Sequence, residues 1–435
     1  MSARWTDFSA VKRAFTHRVF ARYTAANSLS LTGLWVQRLA VGWLAWDLSH
    51  SGFWLGAVVF AELVPVILIG PLGGVLADRI NRVRLSLVCQ CLAVVQAALL
   101  CALSAGGVIT VELLVLLTLA HGVLAGLNQP ARLALIPSLV AKDDIITAIA
   151  INSIVFNLAR FVGPAIAGLI ITTIGPAAAF AFNAASYLWF IRVLFTLRAL
   201  PQEAGAGRGP VMAQITEAVH YAARHPLIGP LLLIIATSSL FARPLAELLP
   251  GIADTVFGRG ADGLAILVSS VGIGAVAGSL WLAKRGDLHG MTRVIVFALL
   301  IVGIADALAV TVGAFWLAAA LLAVFGVAMV VLGAGVQSLI QANVAPEMRG
   351  RVLSLNGLVL RGAPALGALF MGWAGDHVGL GTPLVAGAVV CGIVFFVMLR
   401  HEPRLSVTAG RGSPGRGSPG RGSPGRRDRK FPVPD

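Results

Sequence analysis

The sequence predicts an all-α integral membrane protein with twelve transmembrane helices in two six-helix pseudo-repeats. Three observations predict it. The 435-residue chain is 57% hydrophobic and only 12% charged, with a mean hydropathy of +0.87, far from the composition of a water-soluble domain. Apolar stretches of about 20 residues, each sufficient to cross a ~30 Å hydrocarbon core, recur along nearly its whole length. They are too long and continuous for barrel strands, which leaves helices as the way to satisfy the backbone in lipid. Finally, the second half of the chain echoes the first.

The elements follow in order. A polar, basic arm, residues 1–19, carries Arg4, Lys12, Arg13 and Arg18. The apolar segment after it is too long for the core of a cleavable signal. The N-terminal bundle, 20–198, holds stretches near 20–47, 52–77, 84–105, 109–128, 145–172 and 175–198. A linker, 199–226, contains VMAQITEAVHYAARH, where Val211, Ile215, Val219 and Ala222 recur at helical spacing opposite Gln214, Glu217 and Arg224. That pattern predicts a short amphipathic helix along the membrane surface. The C-terminal bundle, 227–400, holds stretches near 227–252, 262–283, 291–312, 315–340, 350–374 and 380–399. The tail, 401–435, repeats GRGSP three times from Gly410 and continues GRRDRK. Gly, Ser, Pro and Arg cannot bury a core, so disorder is expected there. Such a tail reinforces topology, with anionic lipid or RNA binding as the alternative.

Charge gives orientation. The net +14 is concentrated in the arm, the tail and alternate turns: Arg79, Arg82 and Arg84; Lys142; Lys284 and Arg285; Arg349 and Arg351. The other turns carry little positive charge, which predicts both termini in the cytoplasm. The four cysteines, Cys89, Cys91, Cys101 and Cys391, lie in apolar spans without metal-ligand spacing and read as small core hydrophobes.

The repeat is visible residue by residue. One fixed offset carries Ile136, Asn152, Val155, Gly163 and Gly168 onto Ile340, Asn356, Val359, Gly367 and Gly372, and Gly70 and Gly74 onto Gly274 and Gly278. Coincident asparagine and glycine pairs are rare by chance in apolar sequence.

Two motifs carry mechanism. GPLGGVLADRINRVR, Gly70–Arg84, ends a glycine-rich apolar run in Asp78, Arg79, Arg82 and Arg84. The glycines predict close helix approach. The pattern resembles the G-x-x-x-D-R-x-G-R turn of the major facilitator superfamily, with Asn81 in place of the usual second glycine and Val83 where a further base often lies. NLARFVGPAIAG, 157–168, resembles the fifth-span signature of that superfamily's antiporters in Gly163, Pro164 and Gly168, with Arg160 just before them and Ala167 in place of a glycine. Stretches 33–56, 126–164 and 345–369 resemble the branch that includes the bacterial enterobactin exporter and macrolide-efflux proteins. The resemblance covers all twelve spans and not the tail. It implies the major facilitator fold, a bacterial inner (plasma) membrane location, and export of small molecules, usually driven by protons. Gly74, Asp78, Arg79 and Arg82 are then a cytoplasmic gate, with Asp78 paired when the inner mouth closes.

Ionisable residues inside spans cost about 2.5–3.5 kcal/mol each on insertion scales, so each calls for a partner, a wet cavity or a role. Glu62 is the foremost proton-carrier candidate, with an ion pair to Arg38 as the structural alternative. Arg243 and Glu247, one turn apart, are either a self-satisfied pair or a coupling site. Gln337 and Gln341 share a face of the tenth span, and His121, Asn128 and Arg132 cluster at the end of the fourth. Asp306 reads as making a structural hydrogen bond, and Arg160 and Arg361 as pairing with carbonyls or carboxylates between the halves. No G-x-x-x-x-G-K-[ST], H-E-x-x-H or G-x-S-x-G occurs, so no enzyme, metal or cofactor is expected. The expected partners are a small-molecule substrate, protons and the bilayer, without nucleic acid, and the working unit is a monomer. The alternatives to an exporter are an importer or a non-transporting receptor on the same fold.

Overall fold

A computed structural model describes residues 9–197 and 211–411. Every regular element among them is helical. A surface helix α1 (Ser9–Thr16) precedes α2 (Arg18–Ser49), α3 (Gly52–Arg79), α4 (Arg82–Ala105), α5 (Val111–Leu135), α6 (Ile145–Thr173) and α7 (Pro176–Thr196). A second surface helix α8 (Val211–Arg224) precedes α9 (Ile228–Phe241), α10 (Pro244–Thr255), α11 (Ala261–Arg285), α12 (Met291–Thr311), α13 (Phe315–Asn343), α14 (Pro346–Val378) and α15 (Gly381–Arg411). Local chemistry sets the boundaries. The Asn81 side chain accepts from Arg84 N–H at the start of α4, and Thr110 caps α5 through Leu113 N–H. Pro176 and Pro346 open α7 and α14, and left-handed Gly286 ends α11.

Eleven of these units are long and apolar enough to cross a membrane, with α9 and α10 forming one of them. The twelfth is α2, 32 residues long, whose Arg22, Asn27, Gln37 and Arg38 lower its hydropathy. The seventh span is not the continuous helix the sequence predicts. It breaks between Phe241 and Pro244, because Pro244 has no N–H to donate and disfavours helical geometry in the residue before it. By contrast α6 runs unbroken through Pro164.

Within the first half α2 packs on α6 and α7, α3 on α5, and α4 on α5 and α7. In the second half α11 and α12 pack on α13, α12 on α15, and α14 on α9. The halves meet along two seams, α3 with α14 and α6 with α11. A buried polar chain ties the first half together. Asn183 Nδ2 donates to Gln37 Oε1 (2.8 Å), Gln37 Nε2 to Gln96 Oε1 (3.2 Å), and Gln96 Nε2 to Leu117 O (3.2 Å). Four helices share these bonds, so none can rotate without leaving a buried polar group unpaired.

The offset that relates the halves also relates the surface helices. Arg13 and His17 of α1 correspond to Glu217 and Tyr221 of α8. Arg13 and His17 hold Asp144, just before α6, at 2.9 and 3.0 Å. Glu217 holds Arg351 near the start of α14 at 2.5 Å, and Tyr221 Oη accepts from Ala345 N–H. Each half is thus pinned by its preceding helix to the start of its own fifth span, with the ion pair reversed in sign. The buried side of α8 is Ala218 and Ala222, whereas Val219 is half exposed. The apolar stripe is therefore rotated from the expected one by docking on α14.

Three further expectations change. Helix α15 continues eleven residues beyond Arg400, because HEPRLSVTA lacks the Gly-Ser-Pro repeat that follows; 412–435 lie outside the described residues. Asp306 is fully buried, but neither carboxyl oxygen has a hydrogen-bond partner among the described residues. Cys89 and Cys391 are buried as expected, whereas Cys91 is exposed.

Candidate functional site: a charged cleft between the halves

The turns bearing Arg79–Arg84, Lys142, Lys284–Arg285 and Arg349–Arg351 share one end of the bundle, here the basic face. At the opposite face the halves are closed tightly. Gly52 and Gly56 of α3 abut the backbone of α14 at Gly372 and Ala368, so that a Cβ at any of these glycines would overlap main-chain atoms. The first turn of α3 has no cap from its own Ser51 side chain. Asp376 of α14 supplies one, accepting from Gly52 N–H (2.5 Å), Phe53 N–H (3.1 Å) and Ser51 Oγ (2.6 Å). Trp46 Nε1 of α2 donates to Asp254 of α10 at 2.9 Å.

Towards the basic face the same seam parts. Gly362 of α14 still touches Ile67, but nothing approaches a Cβ built at Gly70, Gly74 or Gly350 within 4 Å. Gly70 and Gly74 therefore do not seat a neighbouring helix in this conformation, contrary to the sequence expectation. Gly73 does so, against the Gly126 backbone of α5. Asp78 and Arg79 are exposed, and neither forms an ion pair among the described residues. Arg82 turns back onto the carbonyls of Ala77 and Ala134. The cleft is open at the basic face and shut at the other.

At its closed end lies a charged triad. Arg38 of α2 contacts Glu62 of α3 at 3.3 Å and Glu247 of α10 at 3.0 Å. One guanidinium thus bridges a carboxylate of its own half and one of the other half. Leu34, Gln37, Glu62, His121 and Glu247 line the cavity around it. The sequence pairs Arg38 with Glu62 correctly but gives Glu247 to Arg243. That second pair is not formed: the break before Pro244 places Arg243 at the helix junction, and Glu247 faces Arg38 instead.

Three more arginines surround the cleft at mid-span: Arg160 in α6, Arg243 at the α9–α10 junction and Arg361 in α14. Their fields reach one another and the triad. None forms an ion pair among the described residues, so the expected carboxylate partners of Arg160 and Arg361 are absent. Arg160 lies over the Trp35 ring at 5.6 Å and Arg38 over the same ring at 5.1 Å. Gly163 makes this possible, since a Cβ there would strike Trp35 Cβ. Gly168, a turn further on, seats Ala265 of α11 across the second seam. The antiporter-like motif therefore joins the aromatic platform to the inter-half contact. Trp35 thus joins the site only in three dimensions, whereas Arg160 and Arg361 are already singled out in the sequence, the first beside the glycine motif and the second deep in a span.

Of the other candidates, the two glutamines lie away from the triad and His121 beside it. Gln337 and Gln341 are exposed towards the basic end of α13, about two and about three turns from its midpoint. His121 stands 3.4 Å from Tyr187 Oη, and Arg132 bonds Asn27 in the same half.

A two-half helical bundle with a charged cleft along its axis is the geometry of a solute transporter. A family model described as a transmembrane secretion effector matches residues 10–410. The chain belongs to this family of major facilitator transporters. As a secretion-effector family member it is a multi-pass membrane protein and a small-molecule transporter. It is 26% identical to the staphyloferrin A transporter of Staphylococcus aureus (strain NCTC 8325 / PS 47), over 88% of this chain and 97% of the relative. It is also 26% identical to the enterobactin exporter EntS of Salmonella choleraesuis (strain SC-B67), over 90% of this chain and 95% of the relative. Among solved structures, a point mutant of the nucleoside transporter NupG aligns with a TM-score of 0.71 at 13% identity, covering 88% of this chain and 99% of that one. A bacterial homologue of the lysosomal transporter Spinster aligns at 0.69 and 16%, covering 92% and 99%. These two share the fold of the secretion-effector chain.

Proposed function

We propose that this chain exports a small amphipathic molecule, siderophore-like or drug-like, by alternating access and in exchange for protons. In this reading the basic face is cytoplasmic, both termini are inside, the membrane is the bacterial inner membrane, and a monomer is the working unit. The open cleft is then the loading state. The observation that carries the reading is Arg38 held at once by Glu62 and Glu247 at the closed end of that cleft. A proton on Glu247 breaks the contact of the triad that ties the two halves together, and a proton on Glu62 removes the carboxylate that anchors Arg38 within the first half. Protonation therefore favours parting at the outer side, which is the differential interaction a population shift requires. Asp78 is the complementary inner latch, unpaired here because the inner mouth is open. The names of the relatives support a siderophore-like cargo.

Proteoliposomes loaded with a pH dye test the reading, with staphyloferrin A and enterobactin as first cargoes. Cargo-dependent proton movement is expected, reduced about tenfold or more by Glu62→Gln and by Glu247→Gln. Undiminished proton-driven transport in Glu62→Gln removes Glu62 from the coupling.

A further inference from the structure

The unpaired charge in the cleft has one sign. Arg38 is shared by Glu62 and Glu247, so the triad carries a formal charge of about −1 when both carboxylates are ionised. Arg160, Arg243 and Arg361 add three positive charges without a carboxylate within ion-pair distance among the described residues. An unpaired guanidinium near the bilayer midplane costs several kcal/mol unless a polar partner arrives. One unsatisfied neutral group in contact with them is also a donor: Trp35 Nε1 is buried without an acceptor, and its ring lies under Arg38 and Arg160. The site therefore offers an aromatic face and more N–H donors than the two carboxylates, already shared on Arg38, can satisfy. It also lies on the side of the triad that opens to the basic face, where a cargo enters.

We infer that the cleft takes an organic anion, a carboxylate or comparable oxyanion carried on an apolar or aromatic body, held by Arg160, Arg243 and Arg361 beside Trp35. Arginine suits this role because its planar fork meets two oxygens at once. A neutral cargo leaves the guanidiniums unpaired, and a cation is repelled by them. The inference rests on the transporter reading and narrows its substrate class. It is also consistent with the proposed exchange, because an inside-negative potential drives an outgoing anion and an incoming proton alike.

The test uses the full chain in nanodiscs and three probes on one scaffold: 1-naphthaleneacetate, 1-naphthaleneacetamide and 1-(naphthyl)ethylammonium. Binding is read by calorimetry and by stabilisation against heat. The acetate is expected to bind about tenfold or more tightly than the amide, and the ammonium weakest, as one charge-assisted contact requires. Arg160→Gln and Arg243→Gln should each erode that preference, with Arg243→Lys restoring part of it. Heat stability without probe reports whether each variant folds, and a folded Arg160→Gln or Arg243→Gln suffices for the test. Equal binding of amide and acetate overturns the inference. So does a preference untouched by either substitution, or an absence of saturable acetate binding at millimolar concentration. Acetate binding without any cargo-dependent proton movement in proteoliposomes would leave the anion site standing and refute the exporter.

Discussion

Arg38 and Glu62 lie equally far from the α2–α3 turn at His50, so an antiparallel hairpin puts them at one depth. That much is legible in sequence. Glu247 is not, because Arg243 one turn away offers a nearer partner on paper. Only the break before Pro244 frees Glu247 to face the first half. Asp306 shows the opposite failure: a buried carboxyl invites the assumption of a bond, yet none is made among the described residues. An unsatisfied buried polar group costs about 1–3 kcal/mol. Asp306→Ala removes it and adds helix propensity, against a small void penalty of about 24 cal/mol per Å³. The variant should unfold at a higher temperature, by about 1 kcal/mol of stability, with transport unaltered. A lowered midpoint shows that Asp306 has a partner or a packing role.

The elements themselves were largely readable. Apolar length located the spans, and the amphipathic spacing in 211–224 located α8. What the pattern could not give was the side on which each glycine is used. Gly70, Gly73 and Gly74 are equivalent as letters, yet only Gly73 seats a neighbour, since helix rotation and the open cleft decide which is covered. The α3–α14 seam is the clearest case of a required glycine. A methyl at Gly56 would meet the Ala368 carbonyl and the Leu369 backbone, neither of which can move without moving α14. Gly56→Ala should therefore specifically disfavour closure at the face opposite the basic one. Spin labels across the α3–α14 seam near the opposite face should report a longer distance population in Gly56→Ala. Unchanged distances with normal expression mean that the seam yields and the close approach is not what closes it.

At the scale of the whole molecule, the cleft is held shut at one face by four kinds of contact: glycine packing, the Arg38 bridge, the Trp46–Asp254 bond and the Asp376 cap. The cap is the one no sequence reading finds, because Asp376 lies in the last turn of α14 and its partners lie at the start of α3 in the other half. Physically it is an N-cap supplied in trans. The free N–H groups and positive dipole end of α3 meet a carboxylate that belongs to α14. Parting of this face removes Asp376 and leaves those N–H groups to water, so the cap stabilises the state in which this face is closed and contributes nothing to the one in which it is open. Loss of an N-cap costs about 0.5–2 kcal/mol, which is about 2- to 30-fold in a two-state ratio. Asp376→Ala should accordingly raise the population open at this face by that factor, read from the same spin-label distances, without loss of fold. Asp254→Ala removes the Trp46 bond from a separate helix pair, and its effect should add to that of Asp376→Ala if the contacts act independently. An Asp376→Ala variant with wild-type populations would mean that Ser51 or water caps α3 equally well, leaving closure to the Arg38 bridge, the Trp46–Asp254 bond and the glycine seam.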